Sequence, residues 1–266
     1  MQSYGKKRYL CGRNEFRDMK ATKILSFLLF VAVAGHAQDE VAFVADRPGY
    51  VWGAEVLAHH KLAWENGLLF ENTAEARTLM LNSTILRYGI FENAELRVGA
   101  DFLMKDQGFG FQGFGISPLT VGLKIKCYEG EGLIPSVGVL AEFQSPHVGS
   151  KELLPSHIAP HCYLLMEETL SDRFSFCWNA GLEWDGESAT PTTFLGLGVW
   201  FFPIEELGSF VETNNYLHPD GNQYLTEFGL TWMPSNKVQL ALSAGLDFGD
   251  LERVNNVCFD ISWMIN

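Results

Sequence analysis

Beyond about residue 57 the apolar residues of the chain recur with a period of two. In Ala94–Phe102, Leu96, Val98, Ala100 and Phe102 share one face, and Glu95, Arg97, Gly99 and Asp101 share the other. From Leu119, the positions Leu119, Val121, Leu123, Ile125 and Cys127 alternate with Thr120, Gly122, Lys124 and Lys126. Near the C-terminus Leu240, Leu242, Ala244 and Leu246 oppose Ala241, Ser243, Gly245 and Asp247, and Val257, Phe259, Ile261 and Trp263 oppose Cys258, Asp260 and Ser262. Successive side chains of a strand point to opposite faces, so the pattern predicts antiparallel strands with one apolar and one polar face.

The spacing predicts twelve strands, near 62–71, 78–88, 94–102, 117–128, 133–143, 158–170, 173–183, 193–202, 207–215, 223–233, 238–248 and 255–265. Tight turns follow every second strand: Gly89–Asn93, Glu129–Gly132, Ser171-Asp172, Pro203–Glu206 and Pro234–Lys237. The other connections run longer, most clearly Leu103–Ile116, Gln144–His157 and Trp184–Thr192. An even strand count, segments of about ten residues and short turns on the side of both termini predict an all-β fold, a transmembrane antiparallel up-and-down β-barrel. In hydrocarbon every backbone N–H and C=O must be paired, which requires closure and an outward apolar face. Tyr88, Phe102, Tyr128, Phe143, Trp184, Phe202, Trp232 and Phe248 fall near strand ends, where interfacial girdles belong. A soluble β-sandwich shows the same alternation with its apolar face inside; the loop asymmetry and the charges on the polar face favour the barrel. Pro135 and Pro160 fall within predicted strands although proline has no N–H to donate.

Composition fits this picture. Of 266 residues 19% are charged and 13% aromatic, fewer charges than the roughly 25% of soluble domains. A net charge of −13 argues against a nucleic-acid partner, which requires a basic face. Residues 19–37 read as a signal peptide: Lys20 and Lys23, the apolar run Ile24–Ala34, and Gly35-His36-Ala37 as the cleavage site. That run is too short for the roughly 30 Å of a membrane interior. The predicted organisation is an upstream-start extension over 1–18, the signal peptide over 19–37, a periplasmic N-terminal segment over 38–56 and an outer-membrane barrel over 57–266. Removing residues 1–37 takes away Lys6, Lys7, Arg8, Arg13, Arg17, Lys20, Lys23, Glu15 and Asp18, leaving 12 basic and 30 acidic residues and a net charge of −18. Cys127, Cys162, Cys177 and Cys258 lack CxxC spacing and read as single thiols, buried or facing lipid.

Two segments carry a resemblance to a known family: Ala45-Asp46-Arg47-Pro48-Gly49, and the run Leu86-Arg87-Tyr88-Gly89-Ile90-Phe91-Glu92-Asn93-Ala94-Glu95-Leu96-Arg97-Val98. With Gly122-Leu123-Lys124 and the later Pro135, they resemble the transporter-like bacterial outer-membrane family described as "Putative MetA-pathway of phenol degradation". The resemblance implies a barrel that moves small compounds, apolar and aromatic ones included, across the outer membrane, and it implies no enzyme. The leader and Gln38 resemble proteins of the Bacteroidetes. Asp46-Arg47-Pro48-Gly49 reads as a proline-directed turn with a local ion pair, and its recurrence in the family implies a plug or periplasmic contact. The ending Trp263-Met264-Ile265-Asn266 departs from the terminal aromatic of many such barrels.

The polar face places Glu95, Arg97, Asp101, Lys124, Lys126, Glu142, Glu183, Glu227, Asp247 and Asp260 toward the lumen. Two readings stay open. One is a conduit whose acidic excess favours cations or neutral solutes; the other is a charge ladder bracing the lumen, with Arg97, Lys124 and Lys126 paired to carboxylates. The Gly-rich Gln107–Gly115 lacks the lysine and helix of a phosphate loop and reads as an aromatic outer loop. His59, His60, His147, His157 and His161 have no metal-site spacing, and no GxSxG marks a nucleophile. We therefore expect no catalytic residue, metal or cofactor, and membrane lipid and a small solute as partners. A sealed structural or adhesive barrel and a soluble periplasmic β-sandwich binding module are the competing functions.

Overall fold

The computed structural model describes residue 43 and residues 45–266, apart from 73–76, 107–110, 132 and 249–254. The expected extension over 1–18 and signal peptide over 19–37 lie outside the described residues, as do positions 38–42 and 44 of the N-terminal segment. The strands are β1 (Leu62–Asn72), β2 (Arg77–Phe91), β3 (Ala94–Asp106), β4 (Phe111–Ile116), β5 (Thr120–Tyr128), β6 (Ser136–Gln144), β7 (Ala159–Ser171), β8 (Phe174–Glu183), β9 (Thr192–Ile204), β10 (Leu207–His218), β11 (Gly221–Ser235), β12 (Val238–Asp247) and β13 (Asn255–Met264). All pairings are antiparallel; apart from β3–β5 they join sequence neighbours, and β13 closes on β1 with Trp263 opposite Trp64. β4 and β5 pair with the far and near halves of the same strand, β3, so they are two pieces of one wall segment and the barrel has twelve strands.

The outward face is predominantly apolar. Leu230, Leu242, Phe259 and Leu68 stand opposite one another across four neighbouring strands and are 63%, 54%, 43% and 45% exposed. Such a row would waste about 25 cal/mol per Å² in water, and it is what a lipid-facing wall requires. Tyr88, Tyr128 and Trp232 at the short-turn end, and Phe102, Phe143 and Phe248 toward the other end, are exposed as a girdle demands. Phe202 departs from that expectation: it stacks on Trp200, which shares strand parity with the buried Phe194 on the inward face.

Two local features differ from the sequence reading. The expected long loop Leu103–Ile116 is a hairpin: β3 runs on to Asp106 and β4 occupies Phe111–Ile116, so most of this wall continues past Phe102. Cross-strand pairing explains it, since Met104 lies opposite Phe114 and the Phe102 and Phe114 rings are 6.3 Å apart, and aromatic pairs compensate for glycine's weak strand preference. The expected strand over 117–128 is interrupted at Ser117–Leu119, where Pro118 offers no donor. The connection after β6 satisfies the interruption: the Leu119 N–H donates to the Val148 carbonyl at 2.8 Å, the Ser145 N–H to the Leu119 carbonyl at 2.9 Å and the Ser150 N–H to the Ile116 carbonyl at 2.9 Å. Pro135 stands just before β6, and Pro160 is the second residue of β7, both at strand starts.

Candidate functional site

Residues 45–57 form no ladder of their own and run inside the barrel. An irregular segment in a closed interior leaves backbone donors that neither water nor a sheet can satisfy, and side chains of the wall take them. Glu65 accepts the N–H groups of Asp46 and Arg47 at 3.1 and 3.0 Å. Glu212 accepts those of Tyr50 and Val51 at 2.7 and 3.3 Å. Asn179 accepts the Trp52 N–H at 2.8 Å and returns a donor to the Trp52 carbonyl at 2.9 Å, imitating a strand partner. Glu167 takes the Ala54 N–H at 2.9 Å and Glu95 the Leu57 N–H at 2.7 Å. These acceptors come from β10, β8, β7, β3 and β1, around the whole circumference.

The segment enters and leaves at the short-turn end. Phe43 donates its N–H to Asn236 in the β11–β12 turn and packs with Leu57, Ala63 and Met264. Its apex is Gly49–Trp52, where Tyr50 and Trp52, with Tyr216, pack against Leu140, Tyr163, Leu165 and Phe194, the Trp52 and Tyr163 rings edge-on at 5.0 Å. Gly49 makes the apex possible. It holds φ +89°, and a Cβ there would lie 2.5 Å from Glu212 Oε2. Gly49→Ala therefore carries the cost of a left-handed conformation, about 1–2 kcal/mol, and displaces the carboxylate that holds Tyr50 and Val51. We expect faster hydrogen exchange at the amides of residues 50–52 with β8 and β10 unchanged; unaltered exchange at the apex would contradict this role.

Below the apex lies a buried ion cluster. Arg87 donates through Nε and Nη2 to the two oxygens of Glu95, each at 2.9 Å, and through Nη1 to Glu65 at 2.6 Å. Asp46 receives Lys124 at 2.9 Å, lies 3.7 Å from Arg87, and is hydrogen-bonded by Arg97. Arg97 also reaches Glu95 at 3.1 Å. Three carboxylates thus face three cations, and each of these six side chains is at most 5% exposed. Burial pushes the Asp46 carboxyl upward, but the charges of Arg87, Lys124 and Arg97 outweigh it and hold it well below the usual carboxylate range. Arg47 pairs separately with Asp260 at 3.1 Å and donates to Ser83. Asp46 and Arg47 therefore do not form the local ion pair the tetrapeptide suggested; each is bound to the wall.

Beside and beyond the apex, extending toward the side away from the short turns, is a cavity of about 310 Å³ that reaches Asp46 and Arg97 of the cluster. Its polar lining includes Asp101, Glu142, Glu227 and Asp260, and its apolar lining Leu69, Met80 and Trp52. The ten residues singled out from the sequence divide by level. Glu95, Arg97 and Lys124 are brought together in the ion cluster. Asp101, Glu142, Glu227 and Asp260 line the cavity. The remaining three stand apart: Lys126 pairs with Glu55 at 3.0 Å and Glu129 at 2.7 Å, Glu183 accepts the Tyr163 hydroxyl at 2.9 Å, and Asp247 accepts the Tyr224 N–H at 3.1 Å. The sequence reading did not single out Glu65, Arg87, Glu167, Asn179 or Glu212, although strand parity puts Glu65 on the face of Gly67 and Leu69, and Glu212 on that of Phe210 and Asn214.

Among solved structures, the fold is similar to a Pseudomonas putida F1 outer membrane channel, with 13% identity, a TM-score of 0.61 and coverage of 80% of this chain and 98% of that one. It is also similar to the KdgM porin solved in complex with disordered oligogalacturonate, with 10% identity, a TM-score of 0.55 and coverage of 76% and 99%. The fold is that of outer-membrane β-barrels. No curated protein matches the chain by sequence. The family described as "Putative MetA-pathway of phenol degradation" matches residues 45–256, from the lumenal Asp46-Arg47-Pro48-Gly49 segment to the last strand, and the chain belongs to that family.

Proposed function

We propose that the chain is an outer-membrane channel that passes or binds small solutes, apolar and aromatic ones among them, by passive diffusion and without catalysis. The observation that carries this reading is the roughly 310 Å³ cavity enclosed by the barrel wall and floored by the N-terminal segment, with both polar and apolar lining. In this reading the lumenal charges serve both roles: the cluster around Asp46 braces the segment, and Asp101, Glu142, Glu227 and Asp260 face the solute space. The leader over 19–37 is removed near Ala37, and residues 45–57, from the segment after it, occupy the lumen from the periplasmic side as its constriction. The acidic lining favours neutral or cationic solutes, unlike the polyanionic oligogalacturonate with which the KdgM porin was solved.

The test is reconstitution of the purified protein. In planar bilayers we expect a small, discrete conductance, and in liposomes a swelling rate that falls steeply with solute size. A preparation that is electrically silent and impermeant in both assays would establish the sealed barrel instead. Recovery from cells in the soluble periplasm without detergent would overturn the membrane location.

A further inference from the structure

We infer that the cavity wall at Glu227 is a binding site for a small organic cation with an apolar or aromatic body, an inference that rests on the channel reading and names its solute class. Glu212 and Glu227 stand directly opposite each other across β10 and β11, and both are buried. Like charges at facing positions destabilise a sheet, so each carboxylate needs compensation. Glu212 has it: the Tyr50 and Val51 N–H groups and the Asn214 amide occupy its oxygens. Glu227 is only half satisfied. Ser243 Oγ donates to its Oε1 at 2.6 Å, while Oε2 is buried with no hydrogen-bond partner among the described residues. Glu227 is 2% exposed and lines the cavity.

Leaving a buried carboxylate oxygen unpaired is costly. Arg47 lends Glu227 its charge but donates its Nη hydrogens to Asp260 and Ser83, and Arg97 is held by Asp46 and Glu95. The donor that Oε2 lacks is therefore the ligand's, and a lining of five carboxylates against two guanidiniums favours a cationic one. The rest of the lining supplies the remaining selectivity: Tyr50 and Trp52 present aromatic surface suited to an ammonium group or a ring, and Leu69 and Met80 take an apolar body. A volume of about 310 Å³ lies at the lower end of the roughly 300–1,000 Å³ of small-molecule sites, which suits a single-ring amine and excludes a polymer.

Titration calorimetry on the detergent-solubilised protein with benzylammonium, benzyl alcohol and benzoate tests this, since the three probes share a ring and differ in charge. We expect saturable benzylammonium binding at least tenfold tighter than benzyl alcohol, and no benzoate binding. Glu227→Gln, with its folding checked by heat-modifiable migration on a gel, should weaken benzylammonium at least tenfold. Equal affinity for the three probes, or an unchanged affinity in a folded Glu227→Gln protein, overturns the site; should that variant not fold, the wild-type ranking alone decides. Conductance with no preference for benzylammonium would sink this inference and leave the channel standing. Benzylammonium binding by a protein that neither conducts nor swells liposomes would keep the site and overturn the channel.

Discussion

Asp46→Asn should detach the N-terminal segment from the barrel interior and raise the conductance of the reconstituted protein severalfold. Asparagine is close in shape to aspartate, so packing is preserved and the lost quantity is charge. Asp46 is the one carboxylate of the cluster carried by the irregular segment, and it receives Lys124, Arg97 and Arg87. Its loss leaves three buried cations facing Glu65 and Glu95 alone, and removing one partner of a buried pair costs about 3–5 kcal/mol. The barrel ladder does not pass through Asp46, so the wall should persist while the segment is released. Acid should mimic the substitution. The Asp46 carboxyl is held below its ordinary value of 3.8, so its contribution is full above that pH and is lost as pH falls below it. Wild-type conductance should therefore rise as the bath is acidified below about pH 4, with a smaller increment in Asp46→Asn. A variant with wild-type conductance at neutral pH would show that the segment is retained by its apex packing and not by the cluster.

The wall was legible because a lipid-facing barrel favours apolar residues outward and gathers most of its charges inward, and that preference is written as a period of two. The interruption at Ser117–Leu119 was not, because Leu119 keeps the alternation of Val121 and Leu123 although Pro118 breaks the ladder. The β4 strand was hidden for the opposite reason: glycines flank Phe114 there, and composition argues for a loop while cross-strand pairing makes a strand. The site was half legible. Charges such as Glu95, Arg97 and Asp260 stand out against apolar neighbours on their own strands. Their partners Asp46 and Arg47 lie on a segment with no period, more than 35 residues from the charges they meet except for Glu65, so no local spacing could disclose the pairing.

Arg87→Met should lower the stability of the folded barrel more than any substitution on the outward face. Arg87 is 1% exposed and stands directly opposite Arg97 across β2 and β3, a like-charge pair held in place by the carboxylates between them. Its guanidinium spans Glu95 and Glu65 at once, a fork geometry that a lysine ammonium cannot reproduce. Without it three carboxylates face Arg97 and Lys124, again a buried imbalance of about 3–5 kcal/mol. Urea titration followed by heat-modifiable migration should place the Arg87→Met midpoint well below wild type, with Arg87→Lys between them. The double variant Arg87→Met/Glu95→Gln restores two carboxylates to two cations, and the glutamine oxygen still accepts the Leu57 N–H that Glu95 holds at 2.7 Å. It should therefore be more stable than Arg87→Met alone, a coupling of the sign expected for residues in one network. If adding Glu95→Gln lowers stability further, the charge balance is not what the cluster conserves, and the weight passes to the hydrogen bonds that Glu95 makes with Arg97 and the segment.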